Sequence, residues 1–224
     1  MKSDLLNLTE EQRGIRDLAR EFAQNEIAPF VAEWDEEARF DPSIVKKLGD
    51  LGFLGMLLPE QYQGLGVDTS TYLVALEEIA VVDASTAVLM SVHNSLPTQM
   101  ILRFGSDEQK SRFLPGMATG DILGAFALSE PEAGSDAASL TTQAVRDGDC
   151  WILNGTKSWV TSGSYAGAIL AMARTDQATE RKGARGIGTF IVTPDLDGFH
   201  VGKKEDKLGL RGSPTVQLTF DNMR

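Results

Sequence analysis

Two stretches of this chain concentrate side chains that do chemistry. "FALSEPEAGSD" at residues 126–136 crowds small hydroxyls, carboxylates and a glycine into one loop, and "KSWVTSG" at 157–163 adds Trp159 to a similar set. A plain connecting turn needs one or two such residues, whereas a loop that wraps a polar ligand uses a run of hydroxyls and main-chain N–H groups. Both stretches are expected to follow strands. The flat ring and single N–H of Trp159 suit a large planar ligand, and a flavin has that shape. An isoalloxazine that accepts hydride gathers negative charge along its N1–C2=O edge, so donors aimed there stabilise the reduced form. Ser129 and Thr161 are the donors this reading selects. By composition alone, two polar loops and a packed tryptophan account for the same residues.

Other chemistries find less support. His93 and His200 lie far apart without ligand-spaced partners, so no metal site is assigned. Ser135, His93 and Asp136 could be written as a hydrolase triad, but no G-x-S-x-G elbow accompanies them. "GLGVDT" at 64–69 and "GARGIG" at 183–188 lack the strand and helix of a nucleotide-binding unit and read as turns. "NGT" at 154–156 is set aside as a glycosylation acceptor, since nothing points to secretion. Cys150, the only cysteine, precludes an internal disulfide and reads as structural, in a strand interior.

The elements that must position these residues fall into two halves. In the first, "TEEQ" at 9–12 is a capping box ahead of Ile15, Leu18, Ala19 and Phe22 at helical spacing. Asp41 with Pro42 starts a second helix that stops near Gly52, and Asp68 starts a third with Leu73, Leu76, Ile79 and Ala80 on one face. Asp83 caps "ASTAVLMSV", and "SDEQ" at 106–109 repeats the box. After Asp121 come short runs, "ILGAFALS", "TTQAVR", "CWILNG", "AILAMAR", "GTFIVTP" and "VQLTF", with turn signals at "RDGDC" and "LNGTK". The expected fold is α+β: an all-helical domain over 1–121, then an antiparallel, barrel-like domain over 122–224.

With 224 residues, a net charge of −11 and no apolar run long enough for a bilayer, the chain is a poor partner for nucleic acid or anionic membrane. Its start, "MKSDLLNLTEEQ", has no secretory character, and a soluble, cytoplasmic protein is expected.

The two opening stretches, with "PEQYQGLGVD", "FGSDEQKSRFLPGMATGD" and "DKLGLRGSPTVQLTFDNMR", resemble segments of the acyl-CoA dehydrogenases in family order. The resemblance covers nearly the whole chain. It implies FAD, oxidation of an acyl-CoA thioester to the trans-2-enoyl-CoA as in fatty acid β-oxidation, and electron-transferring flavoprotein as acceptor. The implied flavin contacts are Phe126, Leu128, Ser129, Gly134, Ser135, Trp159, Val160 and Thr161, with Ser135 also touching the acyl-CoA. The family implies a homotetramer, in the bacterial cytoplasm or, in a eukaryote, the mitochondrial matrix. Its catalytic glutamate comes from a C-terminal helical bundle that these residues do not include, so no catalytic residue is assigned and the 224-residue chain alone is expected to be inactive. Glu130 and Glu132 read as loop or surface carboxylates. Two alternatives remain open: a naturally short, non-catalytic module binding FAD or acyl-CoA, and a related flavin oxidase or monooxygenase.

Overall fold

The computed structural model describes residues 7–176 and 183–224; the first six residues of the chain's start lie outside them. Seven α-helices come first: α1 (Glu10–Phe22), α2 (Val31–Glu36), α3 (Ser43–Asp50), α4 (Thr69–Val82), α5 (Ala84–Ser95), α6 (Pro97–Phe104) and α7 (Asp107–Ala118). Four of the starts, those of α1, α4, α5 and α7, follow from side-chain caps. Thr9 and Ser106 form reciprocal capping boxes with Gln12 and Gln109, and Asp68 and Asp83 accept from the first-turn amides of α4 and α5. Asp41 accepts from the Ser43 amide, but the cap position of α3 is Pro42 rather than Asp41, and the helix has no side-chain cap.

The apolar faces hold two corrections. In α4 the buried residues include Tyr72, Ala75 and Ile79, while Leu73 is 52% exposed; in α1, Ala19 and Phe22 are buried and Leu18 is 42% exposed. α4 carries apolar residues nearly all round, so spacing alone does not select which stripe faces the core.

The second half forms one curled sheet from β1 (Gly124–Ala127), β2 (Gln143–Asp147), β3 (Cys150–Thr161), β4 (Ala168–Arg174), β5 (Ile187–Val192), β6 (Phe199–Lys204) and β7 (Thr215–Met223). The order is β1-β4-β2-β3-β7-β6, with β5 also pairing β4. The sheet is mixed rather than antiparallel, because β1 runs parallel to β4 after a long crossover from one end of the sheet. The expected β2–β3 hairpin forms, with Gly148 and Asp149 as its two-residue loop, Gly148 at φ 61° and Asp147 paired with Cys150. "LNGTK" makes no turn: β3 runs straight through it, with Gly155 at φ 152° in a register shift where a Cβ would collide with Thr142. Cys150 is half-buried at the hairpin end of β3 rather than inside it.

Helices and sheet share a core. Leu58, Ile101, Phe113, Leu114 and Met117 pack with Ala168 and Leu170 of β4. Fully buried His93 in α5 ties the halves together, its Nε2–H donating to the Met117 carbonyl (3.0 Å) and its Nδ1 accepting from the Gly124 amide (2.9 Å). Burial pushes its pKa down to about 4 against weaker support from backbone hydrogen bonds, so the ring is neutral.

Candidate functional site

The first link in the site is a break in β3. Between Lys157 and Val160 its pairing with β7 slips, and Trp159 adopts φ 58°, a left-handed conformation that a bulky residue seldom takes. The bulge turns the indole outward, leaving Trp159 62% exposed while Val160 beside it is 1% exposed. Strain of this kind persists only where neighbours over-determine it.

The neighbours are the residues leaving β1. The Ser158 amide donates to the Ser129 carbonyl at 2.8 Å. Lys157 Nζ donates to the Leu128 carbonyl at 3.0 Å and to Glu130 Oε1 at 2.7 Å. Glu130 Oε2 accepts from the Thr141 amide (2.6 Å) and hydroxyl (2.8 Å), and Oε1 accepts from the Thr142 amide (2.9 Å). Glu130 is therefore no surface carboxylate: it is 3% exposed and Lys157 is 0% exposed. Burial raises the Glu130 pKa, but the donors from Lys157, Thr142 and Thr141 outweigh it and bring the group to about 2. Burial also draws the Lys157 ammonium below its ordinary value, with Glu130 opposing. At 2.7 Å with every carboxylate lone pair directed at a donor, the geometry is that of a charged pair.

The residues next to this clamp in sequence, Ser129 and Ser158, line an open groove of about 210 Å³. Val92 and Leu96, from α5 and the residue after it, form one side, Phe126, Leu128 and Ser129 another, and Ser158, Trp159 and Thr161 the third. The sequence-selected residues thus separate into two groups. Phe126, Leu128, Ser129, Trp159 and Thr161 meet in the groove; Gly134 and Ser135 lie on the exposed loop outside its lining, and Val160 packs into the sheet core, leaving only its main chain for a ligand. Glu132 is exposed, as expected of it. Val92, Leu96, Ser158 and Lys157 were not selected from sequence. Lys157 and Ser158 stand in the "KSWVTSG" stretch, which was their one visible signal, while Val92 and Leu96 are apolar residues outside both stretches.

Apolar walls, an exposed indole and three hydroxyls suit a planar aromatic ligand with a polar edge. A larger groove, about 560 Å³, lies between α6 and β4–β5 and includes Met100, Phe104, Trp151 and Phe190. Its only polar side chains are Gln109 and Thr189, whereas three hydroxyls and an outward indole converge in the smaller groove, which is the better candidate despite its size. The hydrolase reading fails because both His93 ring nitrogens are engaged inside the protein. Among the described residues no cluster of three or more His, Cys, Asp or Glu is placed to hold a metal, and no helix is long and apolar enough to cross a membrane.

A helical half docked on a curled mixed sheet, with a ligand groove at the junction, defines an α+β protein of a recognisable kind. Residues 9–121 match the family model for the acyl-CoA dehydrogenase N-terminal domain and residues 125–223 that for the middle domain, so the chain belongs to the acyl-CoA dehydrogenase family. It is 45% identical over 219 residues to the mitochondrial short-chain specific acyl-CoA dehydrogenase of Rattus norvegicus, covering 98% of this chain and 52% of that protein. The butyryl-CoA dehydrogenase of Megasphaera elsdenii is similar in structure with a TM-score of 0.92 at 38% identity, over 97% of this chain and 57% of that one. A glutaryl-CoA dehydrogenase of Mycobacterium smegmatis, solved in complex with FADH2, gives 0.90 at 38% identity, over 96% and 54%. The chain spans about half the length of the curated relatives it matches.

Proposed function

We propose that the protein to which this chain belongs is an FAD-dependent oxidoreductase that desaturates an acyl-CoA thioester to the trans-2-enoyl-CoA, this chain supplying the flavin-facing wall. The observation that carries the proposal is Trp159, held outward at positive φ in the same groove as Ser129 and Thr161. The residues fit the cofactor: an exposed indole for its flat face, hydroxyl donors for its polar edge and apolar side chains around them. When bound, FAD would accept the hydride from the acyl β-carbon.

Each residue then has a task. Trp159 covers the ring, Ser129 and Thr161 donate to the edge that gains charge, and Leu96, Val92 and Phe126 keep water from the reacting end. Gly134, Ser135 and the main chain of Val160 extend the contacts along the cofactor, with Ser135 at the acyl-CoA. Removal of the α-proton needs a carboxylate with a free lone pair and a pKa matched to its task. Glu130 has neither, since its oxygens are saturated and its pKa falls to about 2. The base is assigned to residues other than these.

The same reading divides the chain into a helical domain over 1–121 and a β-domain over 122–224. It gives electron-transferring flavoprotein as acceptor, a homotetramer as the assembly, and the bacterial cytoplasm or the mitochondrial matrix as the compartment. The product of the whole reading frame, purified and assayed over acyl-CoAs of increasing length with a dye acceptor, should show a flavin spectrum that bleaches with substrate. Trp159→Ala should weaken FAD retention. Absence of flavin, or unchanged retention in Trp159→Ala, overturns the proposal; rapid reoxidation in air would instead mark an oxidase.

A further inference from the structure

The Glu130–Lys157 pair takes no part in the chemistry above, yet its two residues adjoin Ser129 and Ser158 of the groove lining, and Lys157 bonds to the carbonyl of Leu128, a third lining residue. Replacing a buried ion pair by apolar side chains of similar volume is often neutral or stabilising, so stability alone is a weak reason for two charges there. The geometry supplies another. Lys157 and Ser158 are the two residues before Trp159, and both bond to the segment that carries Ser129: Lys157 to the Leu128 carbonyl and Glu130, Ser158 to the Ser129 carbonyl. Glu130 is in turn fixed by Thr141 and Thr142, at the entry to β2. A two-residue bridge between Glu130 and Ala133 closes the loop on its far side.

We propose that Glu130 and Lys157 are positioning residues: their buried bond locks the β1 exit loop to the β3 bulge, and so holds Trp159 and Ser129 in register for one planar ligand. The assignment of that ligand as flavin rests on the function proposed above. An apolar pair of equal volume fills the same space but supplies no directional bond to the Leu128 carbonyl, so the loop keeps its packing and loses its register. A site whose supporting side chains are left loose is present but misaligned, and function is lost before fold.

The test uses the product of the whole reading frame labelled with 5-fluorotryptophan, the Trp159 resonance being the one that Trp159→Phe removes. Lys157→Met and Glu130→Gln each leave an unpaired buried polar or charged group and should lower the melting temperature. The double variant Glu130→Gln/Lys157→Met removes both charges and should recover part of that loss, since the carboxamide oxygen still accepts from one of the Thr141 and Thr142 amides while its NH2 leaves the other unpaired. If the pair positions the groove, the double variant still shows a shifted or split Trp159 resonance, an unchanged Trp34 resonance, and FAD bound about tenfold more weakly, the lower end of what losing an outer supporting residue costs a bound group. If the pair serves only stability, the recovered double variant has the parent's Trp159 resonance, and the proposal is overturned. Should the double variant not fold, Lys157→Arg keeps the charge with a different reach and is read by the same resonance and the same rule. A shifted Trp159 resonance in a protein that binds no FAD at all sustains the positioning role and overturns the flavin reading. Weaker FAD binding with an unmoved resonance overturns the positioning role alone.

Discussion

Two of the buried polar centres that hold this molecule together work by opposite means. His93 joins α5 to α7 and to the first strand through two main-chain partners, and stays neutral. Glu130 and Lys157 join a loop to a bulge through a full complement of donors, and keep both charges. A neutral imidazole with one donor and one acceptor satisfies two backbone groups at little desolvation cost, which suits a join between packed layers. A charged pair costs more to bury but imposes direction on every bond it makes, which suits a site. The polar group chosen at each place follows from whether packing alone can set the geometry.

Breaking each centre by one side chain should give unequal losses. Lys157→Met leaves a buried carboxylate without its cation and should cost about 3–5 kcal/mol in urea denaturation. His93→Gln keeps one donor and one acceptor but cannot reach both partners, and should cost about 1–3 kcal/mol. Equal losses would mean that the two centres are held by packing rather than by their chemistry.

Acid separates them more finely. His93 has a folded pKa of about 4, below its ordinary 6.5, so between those values the unfolded chain binds more protons. Stability is therefore full above pH 6.5 and falls as the pH drops towards 4, by about 3 kcal/mol for a shift of this size. Glu130 is also depressed, to about 2 from 4.5, so its contribution holds above pH 4.5 and is lost between 4.5 and 2. Denaturation at successive pH values should show the upper limb flattened in His93→Gln and the lower limb reduced in Glu130→Gln/Lys157→Met. An upper limb unchanged by His93→Gln would show that His93 is not the group titrating there.

What the sequence shows and hides has the same physical origin. Caps at Thr9, Asp68, Asp83 and Ser106, and the β2–β3 hairpin turning at Gly148–Asp149, are made by residues within three positions of each other, so short windows reveal them. The Glu130–Lys157 bond spans 27 residues, and a glutamate in a polar loop looks solvated until the fold brings the lysine beneath it. β3 continues past Asn154–Gly155 because its partner strand tolerates a bulge, a property of the pair and not of either stretch. β6 is exposed along nearly its whole length and so has no apolar alternation to announce it. In the groove, Ser129, Trp159 and Thr161 are legible as a motif, whereas Val92 and Leu96 are ordinary helix apolars whose role depends on where α5 docks.

The smallest effect on stability should fall on the residue that matters most to the groove. Trp159 is 62% exposed and sits at φ 58°, so its ring adds little packing while its backbone is strained. Glycine takes that conformation without the ~1–2 kcal/mol steric cost borne by other residues, but adds ~0.5–1 kcal/mol of lost chain entropy. Trp159→Gly should therefore melt within about 1 kcal/mol of the parent, on either side. Trp34, 6% exposed in the helical core, should lose about 3–5 kcal/mol on truncation to Ala. If Trp159→Gly instead unfolds the protein, the indole is a packing residue, and the outward bulge is not built for a ligand. If it leaves the fold intact and abolishes flavin retention, the strain at β3 is maintained for the site and not for the sheet.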